Sequence, residues 1–247
     1  MDRFSPLAAI KTGWRCTKEH FIVSLGLVLA FTIVSTLLSL IPPGGVVGSI
    51  AQLLNVFVSL IWSLGLVRLT LDVVDGEEPR FGVFKEVLPR LLHFVVLMII
   101  MSLSILLPAC AIVGIGAASC SVSLTTLAAF DPMAVSTMTL WLALACVPAI
   151  YISLRLFFAP YLLIDRGVGP IEALKMSWKA SYPLQGRIFL FFLLALLVMT
   201  IGLLCFLVGS IFTMIITMYA QAALYRQAFS AGIQDPLLVE DTNVAVS

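Results

Sequence analysis

Six long apolar runs, with charge held to their ends and the segments between them, constrain this chain more than any other feature. The runs lie at 21–41, 46–71, 91–114, 138–158, 188–209 and 211–229. A helix needs about 20 mostly apolar residues to cross the hydrocarbon of a bilayer, and each run is long enough. The runs are continuously apolar rather than alternating, which argues against a transmembrane β-barrel. Only 11% of the 247 residues are charged and 61% are hydrophobic. A soluble domain carries roughly 25% charge. Together with a mean hydropathy of +1.13, this selects the bilayer as solvent. The predicted fold class is all-α: a polytopic membrane helical bundle of six transmembrane helices.

The basic residues give the orientation. All 14 Lys and Arg fall in 1–20, 68–90, 155–187 and 226–247. Those four segments share one side of a six-span arrangement. Under the positive-inside rule that side is cytoplasmic, so both termini are expected there. The opposite connections are nearly uncharged: Pro42, Pro43, Gly44 and Gly45 make one tight turn, and 115–137 carries only Asp131. The first run follows an amphipathic stretch and is not closed by a small-residue cleavage site, so it reads as a retained span rather than a signal peptide.

An internal repeat divides the chain. Pro6, Ala9, Lys11 and Trp14 recur as Pro170, Ala173, Lys175 and Trp178, with Arg15 answered by Lys179. A fainter copy begins at Pro79. Two runs follow each copy, and Arg68, Arg155 and Arg226 stand near the ends of the second runs. The chain therefore reads as one membrane domain, 1–231, of three helical hairpins (about 1–75, 76–166 and 167–231), each preceded by an amphipathic interfacial helix. The segment 232–247 is acidic, lacks basic residues and is expected to be a disordered cytoplasmic tail. In the interfacial helices Pro suits the first turn. Ile10 and Trp14 are expected on the apolar face, with Lys11 and Arg15 toward lipid phosphates. A cap packed on the bundle is the compatible alternative.

The run from Arg155 to Ser181, R-L-F-F-A-P-Y-L-L-I-D-R-G-V-G-P-I-E-A-L-K-M-S-W-K-A-S, resembles the hallmark segment of a bacterial family of six-helix inner-membrane proteins. That family is mostly of unknown function, and it is related to the membrane domain attached to some glycerophosphodiester phosphodiesterases. The matching positions are Arg155, Pro160, Asp165, Gly169, Pro170, Ala173, Leu174, Ser177 and Trp178. Tyr182 and Pro183 depart from the Gly or Asn expected there. The resemblance implies the fold and a bacterial inner membrane. It brings no phosphodiesterase activity, because that domain is not in this sequence.

Residues for catalysis are not evident. The two histidines, His20 and His93, sit at span ends and make a poor metal site without a nearby Cys or carboxylate. No metalloprotease, D-x-D or nucleophile-elbow motif appears. Cys16, Cys110, Cys120, Cys146 and Cys205 are scattered and read as apolar packing residues. The net charge of +1 offers no nucleic-acid surface. The expectation is a non-enzyme, without cofactor or metal, whose partners are membrane lipids and another membrane protein or complex.

Two sets of candidate residues remain. Lys11, Trp14, Arg15, Arg68, Arg155, Lys175, Trp178, Lys179 and Arg226 form a candidate lipid-headgroup interface; ordinary snorkelling of cations at span ends is the alternative reading of Arg68, Arg155 and Arg226. Gln52, Asn55, Ser59 and Ser63 in the second run, and Thr213, Thr217 and Gln221 in the sixth, form polar stripes. Such stripes serve either helix–helix hydrogen bonding, at about 0.6 to 2 kcal/mol each, or a path for a transported solute or lipid. No carboxylate lies mid-span, which argues against proton-coupled antiport. Pro108 and Pro148 interrupt the third and fourth runs and read as kinks.

Overall fold

The computed structural model describes residues 5–42, 44–78, 88–119, 132–204 and 206–230. Arg3, the faint middle copy with Arg80 and Lys85, Cys120, Asp131, Cys205 and the tail from 232 lie outside the described residues. The elements in chain order are α1 (Pro6–Ser39), α2 (Gly45–Val74), a short 3-10 turn (Leu88–Arg90), α3 (Leu91–Ser119) and α4 (Pro132–Leu156). Then come α5 (Ala159–Arg166), α6 (Pro170–Ser181), α7 (Gln185–Leu204) and α8 (Phe206–Ser230). The protein is all-α across these elements. Five stretches are long and apolar enough to cross a membrane among the described residues, against six runs read from the sequence. They include α1, α2 and α7.

The sequence separates an amphipathic helix from the first span, whereas the structure joins them. α1 is one helix of 34 residues, bent at His20, whose φ of −117° and ψ of 23° are non-helical. The Ser24 hydroxyl donates to the His20 carbonyl, which partly satisfies the acceptor at the break. Ser5 caps the start, and Pro6 occupies the first turn. Pro108 and Pro148 lie inside α3 and α4, which continue on both sides of them. Gly167, at φ 67°, ends α5 in the left-handed conformation that glycine adopts without a Cβ penalty.

The N- and C-terminal helices close the bundle: α1 packs more extensively on α8 than on its neighbour α2, and α3 packs mainly on α4. Burial is very uneven. The main core gathers Phe158, Leu162, Ile164, Phe191, Tyr225 and their neighbours, all near the charged ends of α4, α7 and α8. In α3, by contrast, only 6% of the most apolar window is buried. Leu92, Ile99, Leu106 and Leu107 are exposed there, as are Leu193 and Leu196 on α7. That surface finds no partner among the described residues, as expected of helices whose solvent is itself apolar.

The segment after α4 holds more structure than the sequence suggests. The link at 155–187 contains the buried helix α5 as well as α6. Tyr161, Leu162, Leu163 and Ile164 of α5 are all buried. The apolar half of the Arg155–Ser181 run is thus a core element.

Candidate functional site at the charged end of the bundle

α6 and the first half of α1 bury the same pattern of positions. Ala9 and Ala173 are buried, as are Gly13 and Ser177, Cys16 and Ala180, and Thr17 and Ser181. Trp14 and Trp178 are both turned outward, at 45% and 42% exposure. Lys11, Arg15, Lys18, Lys175 and Lys179 are exposed. The ammonium of Lys18 lies 5.2 Å from the Trp14 ring. The small residues, rather than Ile10 and Trp14, therefore make the inward face, while Trp and the cations share the outward one. Low hydropathy hides a face of Ala, Gly, Ser and Thr from a hydrophobic-pattern reading.

Each of these segments crosses a long helix in the same way. A Cβ on Gly13 would stand 2.6 Å from the Ile216 carbonyl oxygen of α8. The hydroxyls of Ser177 and Ser181 donate to the Arg155 carbonyl of α4 at 2.8 and 3.1 Å. Trp14 meets Phe212 edge-on at 5.3 Å, and Trp178 meets Tyr151 edge-on at 6.3 Å. These contacts place Ile216, not Arg226, where α4 has Arg155. The arginines at the ends of the second runs are therefore not interchangeable.

Arg155 is 3% exposed. Its guanidinium lies 5.1, 5.0 and 4.5 Å from the rings of Tyr151, Trp178 and Tyr182. It donates to the Tyr151 hydroxyl at 2.7 Å and to the Trp178 carbonyl at 3.3 Å, while Nε has no hydrogen-bond partner among the described residues. Three π faces near a desolvated cation offset part of its burial cost, at roughly 0.5–2 kcal/mol each. The residue ties α6 to α4 instead of facing lipid. Tyr151, one helical turn before it, was legible from i, i+4 spacing; Tyr182 was not, because it lies beyond the end of α6.

The other two arginines are also engaged inside the protein. Arg68 pairs with Asp72 at 3.2 Å, the pairing their spacing suggests. Arg226 bridges Asp165 at 2.9 Å and Asp75 at 2.5 Å, and the Tyr225 hydroxyl donates to Asp165 at 2.8 Å. Arg90 donates to the Ile164 carbonyl at 2.5 Å, a cation at the C-terminus of α5. This network joins α2, α5 and α8 with the chain leading into α3. Sequence reasoning missed it because Asp75 and Asp165 come from separate connections.

The polar stripes divide. Asn55 donates to Ser39 at 3.1 Å and accepts from Ser35 at 3.2 Å, both on α1. Ser59 donates to the Asn55 carbonyl. Gln52 and Ser63 are exposed. Thr213 is buried against Gly202 of α7, and Thr217 donates to the Thr213 carbonyl. Gln221 accepts from the Tyr161 hydroxyl at 3.3 Å. Of the stripe on α2, Asn55 thus faces α1, while the stripe on α8 faces α7, α4 and α5. Thr217 and Gln221 line a crevice of about 580 Å³ between α4, α7 and α8, together with Ser153, Phe192, Leu196 and Met199.

Among the described residues no group of three His, Cys, Asp or Glu side chains could hold a metal ion. His20 is half-buried at the kink, its Nδ1 without a hydrogen-bond partner among the described residues, and His93 is exposed on α3. Cys16 is buried and free; Cys110 and Cys146 are exposed and free.

Long apolar helices that leave most of their surface uncovered, beside a charged and well-packed end, define a multi-pass α-helical membrane protein. No protein-family model, no curated protein and no solved structure matches the chain.

Proposed function

We propose that this is a non-enzymatic accessory protein of a bacterial inner membrane that holds lipid at its cytoplasmic face. Six spans, arranged as three hairpins, place both termini in the cytoplasm. The confinement of all 14 basic residues to one side supports that count, and α8, with 25 residues, is long enough to be the sixth span. The bacterial setting rests on the resemblance of the Arg155–Ser181 run.

One observation carries the functional reading. Two segments with the same sequence pattern bury small residues against the bundle and turn a Trp and two or three cations outward. A Trp ring suits the headgroup level, and Lys and Arg near an anionic surface contribute about 1 kcal/mol each. Changing Lys11, Arg15, Lys175 and Lys179 together to Glu is expected to cut the anionic lipid co-purifying with the protein at least tenfold. Native mass spectrometry after mild extraction reads that loss. Unchanged anionic lipid content in the folded variant would refute the proposal.

The rival reading is a transporter or channel for a small molecule or lipid along the polar faces of α2 and α8. It is the weaker one, because the hydrogen bonds of Asn55 run to α1 and away from Thr213 and Thr217.

A further inference from the structure

The crevice between α4, α7 and α8 is a candidate binding site in its own right. Its walls are apolar: Ala149, Ile150 and Leu154 from α4, and Phe192, Leu193 and Leu196 from α7. On α7 the lining runs from Phe189 to Met199, which is about 15 Å along a helix axis. It begins two residues after Arg187, at the charged end, and climbs toward the apolar one. Ile150, Phe189, Leu193 and Leu196 are each more than half exposed, so the crevice is continuous with the surface that contacts acyl chains.

One feature is out of place in so apolar a groove. The Gln221 carbonyl oxygen is engaged by Tyr161, and its amide nitrogen has no hydrogen-bond partner among the described residues. Gln221 lies five residues before Arg226, on the cytoplasmic side of the crevice. A pair of N–H donors there, beneath an apolar slot, matches a molecule with an acceptor at one end and a chain at the other.

We infer that the crevice binds one glycerolipid of the inner leaflet, an acyl chain lying between α4 and α7 and an ester carbonyl accepting from the Gln221 amide. The apolar walls and neutral donors recognise the chain and its ester, so the headgroup need not be charged. This rests on the lipid-binding reading above, but it uses different residues.

The test is photo-crosslinking of the full chain, reconstituted in phosphatidylcholine vesicles doped with phosphatidylcholine carrying a diazirine in its acyl chain. A zwitterionic lipid keeps the outward cations out of the measurement. The expected result is labelling concentrated on Ile150, Leu193 and Leu196 and lost in Ala149→Trp, which fills the slot. Should that variant misfold, competition in the unaltered protein decides. A diester lipid is expected to displace the label about two- to tenfold better than its diether analogue, the scale of one neutral hydrogen bond, and Gln221→Leu is expected to erase the difference. Labelling spread evenly over the exposed faces of α1, α3 and α7 would overturn the inference, as would equal competition by the two lipids. Protection of the crevice walls while other faces label would mean that a second copy of the chain fills it, and would also overturn it. The charge-reversed variant leaves the crevice labelling intact, so failure of the headgroup reading and failure of this one are separable.

Discussion

Arg155 shows how much one side chain can decide where two helices meet. The equivalent crossing on α8 uses Ile216, so the contact between a short helix and a long one does not itself need a cation. With arginine in that place, Tyr151, Trp178 and Tyr182 supply π faces where a carboxylate would otherwise be required. Arg155→Ala is expected to cost about 2–4 kcal/mol, from lost packing and three lost ring contacts. Arg155→Lys should recover less than half, because an ammonium cannot stack as a planar guanidinium does. Thermal unfolding in a mild detergent reads both, and full recovery by lysine would contradict the cage. The network around Arg226 ranks its own partners. Asp165→Asn should cost about 1–3 kcal/mol, since that carboxylate also holds Tyr225. Asp75, more open to water, should cost under 1 kcal/mol when changed to Asn. The reverse order would show that Asp165 is not the principal partner.

At the scale of elements, glycine and the other small residues set the helix crossings. Gly13 brings α1 close enough to α8 that any Cβ would meet backbone rather than a movable side chain. Gly13→Leu is expected to separate the two helices and to lower the unfolding temperature by about 6–12 °C, at roughly 3 kcal/mol. Gly26→Ala, in the same helix with nothing near its Cβ position, should leave stability unchanged or slightly higher. Equal effects of the two changes would deny the close crossing. Much of this level was legible in the sequence. The long runs became helices, and Pro6 and Pro170 stand in the first turns of α1 and α6, because hydropathy and proline geometry act locally. The inward face of Ala9, Gly13 and Thr17, the buried helix α5 and the ion bridge through Asp75 were not legible. Each depends on which distant helix arrives to cover it.

At the scale of the whole molecule, the uneven burial is the main fact. A chain that packs tightly at its charged end and leaves most of α3 uncovered requires two solvents, water at one level and acyl chains at the other. Under the proposed function, the short helix α6 and the first half of α1 lie at the boundary between them. The candidate site could be anticipated only in part. Trp14, Trp178 and the lysines announced themselves by repetition, whereas the crevice exists only once α4, α7 and α8 are assembled. The boundary placement is open to a direct measurement. With Trp62 and Trp141 replaced by Phe, and Trp14 or Trp178 kept singly, fluorescence quenching by lipids brominated at different depths locates each ring. Quenching strongest for bromine nearest the headgroup, for both tryptophans, is the result expected of helices resting in the interface. Quenching strongest near the chain ends, or none at any depth, would contradict it.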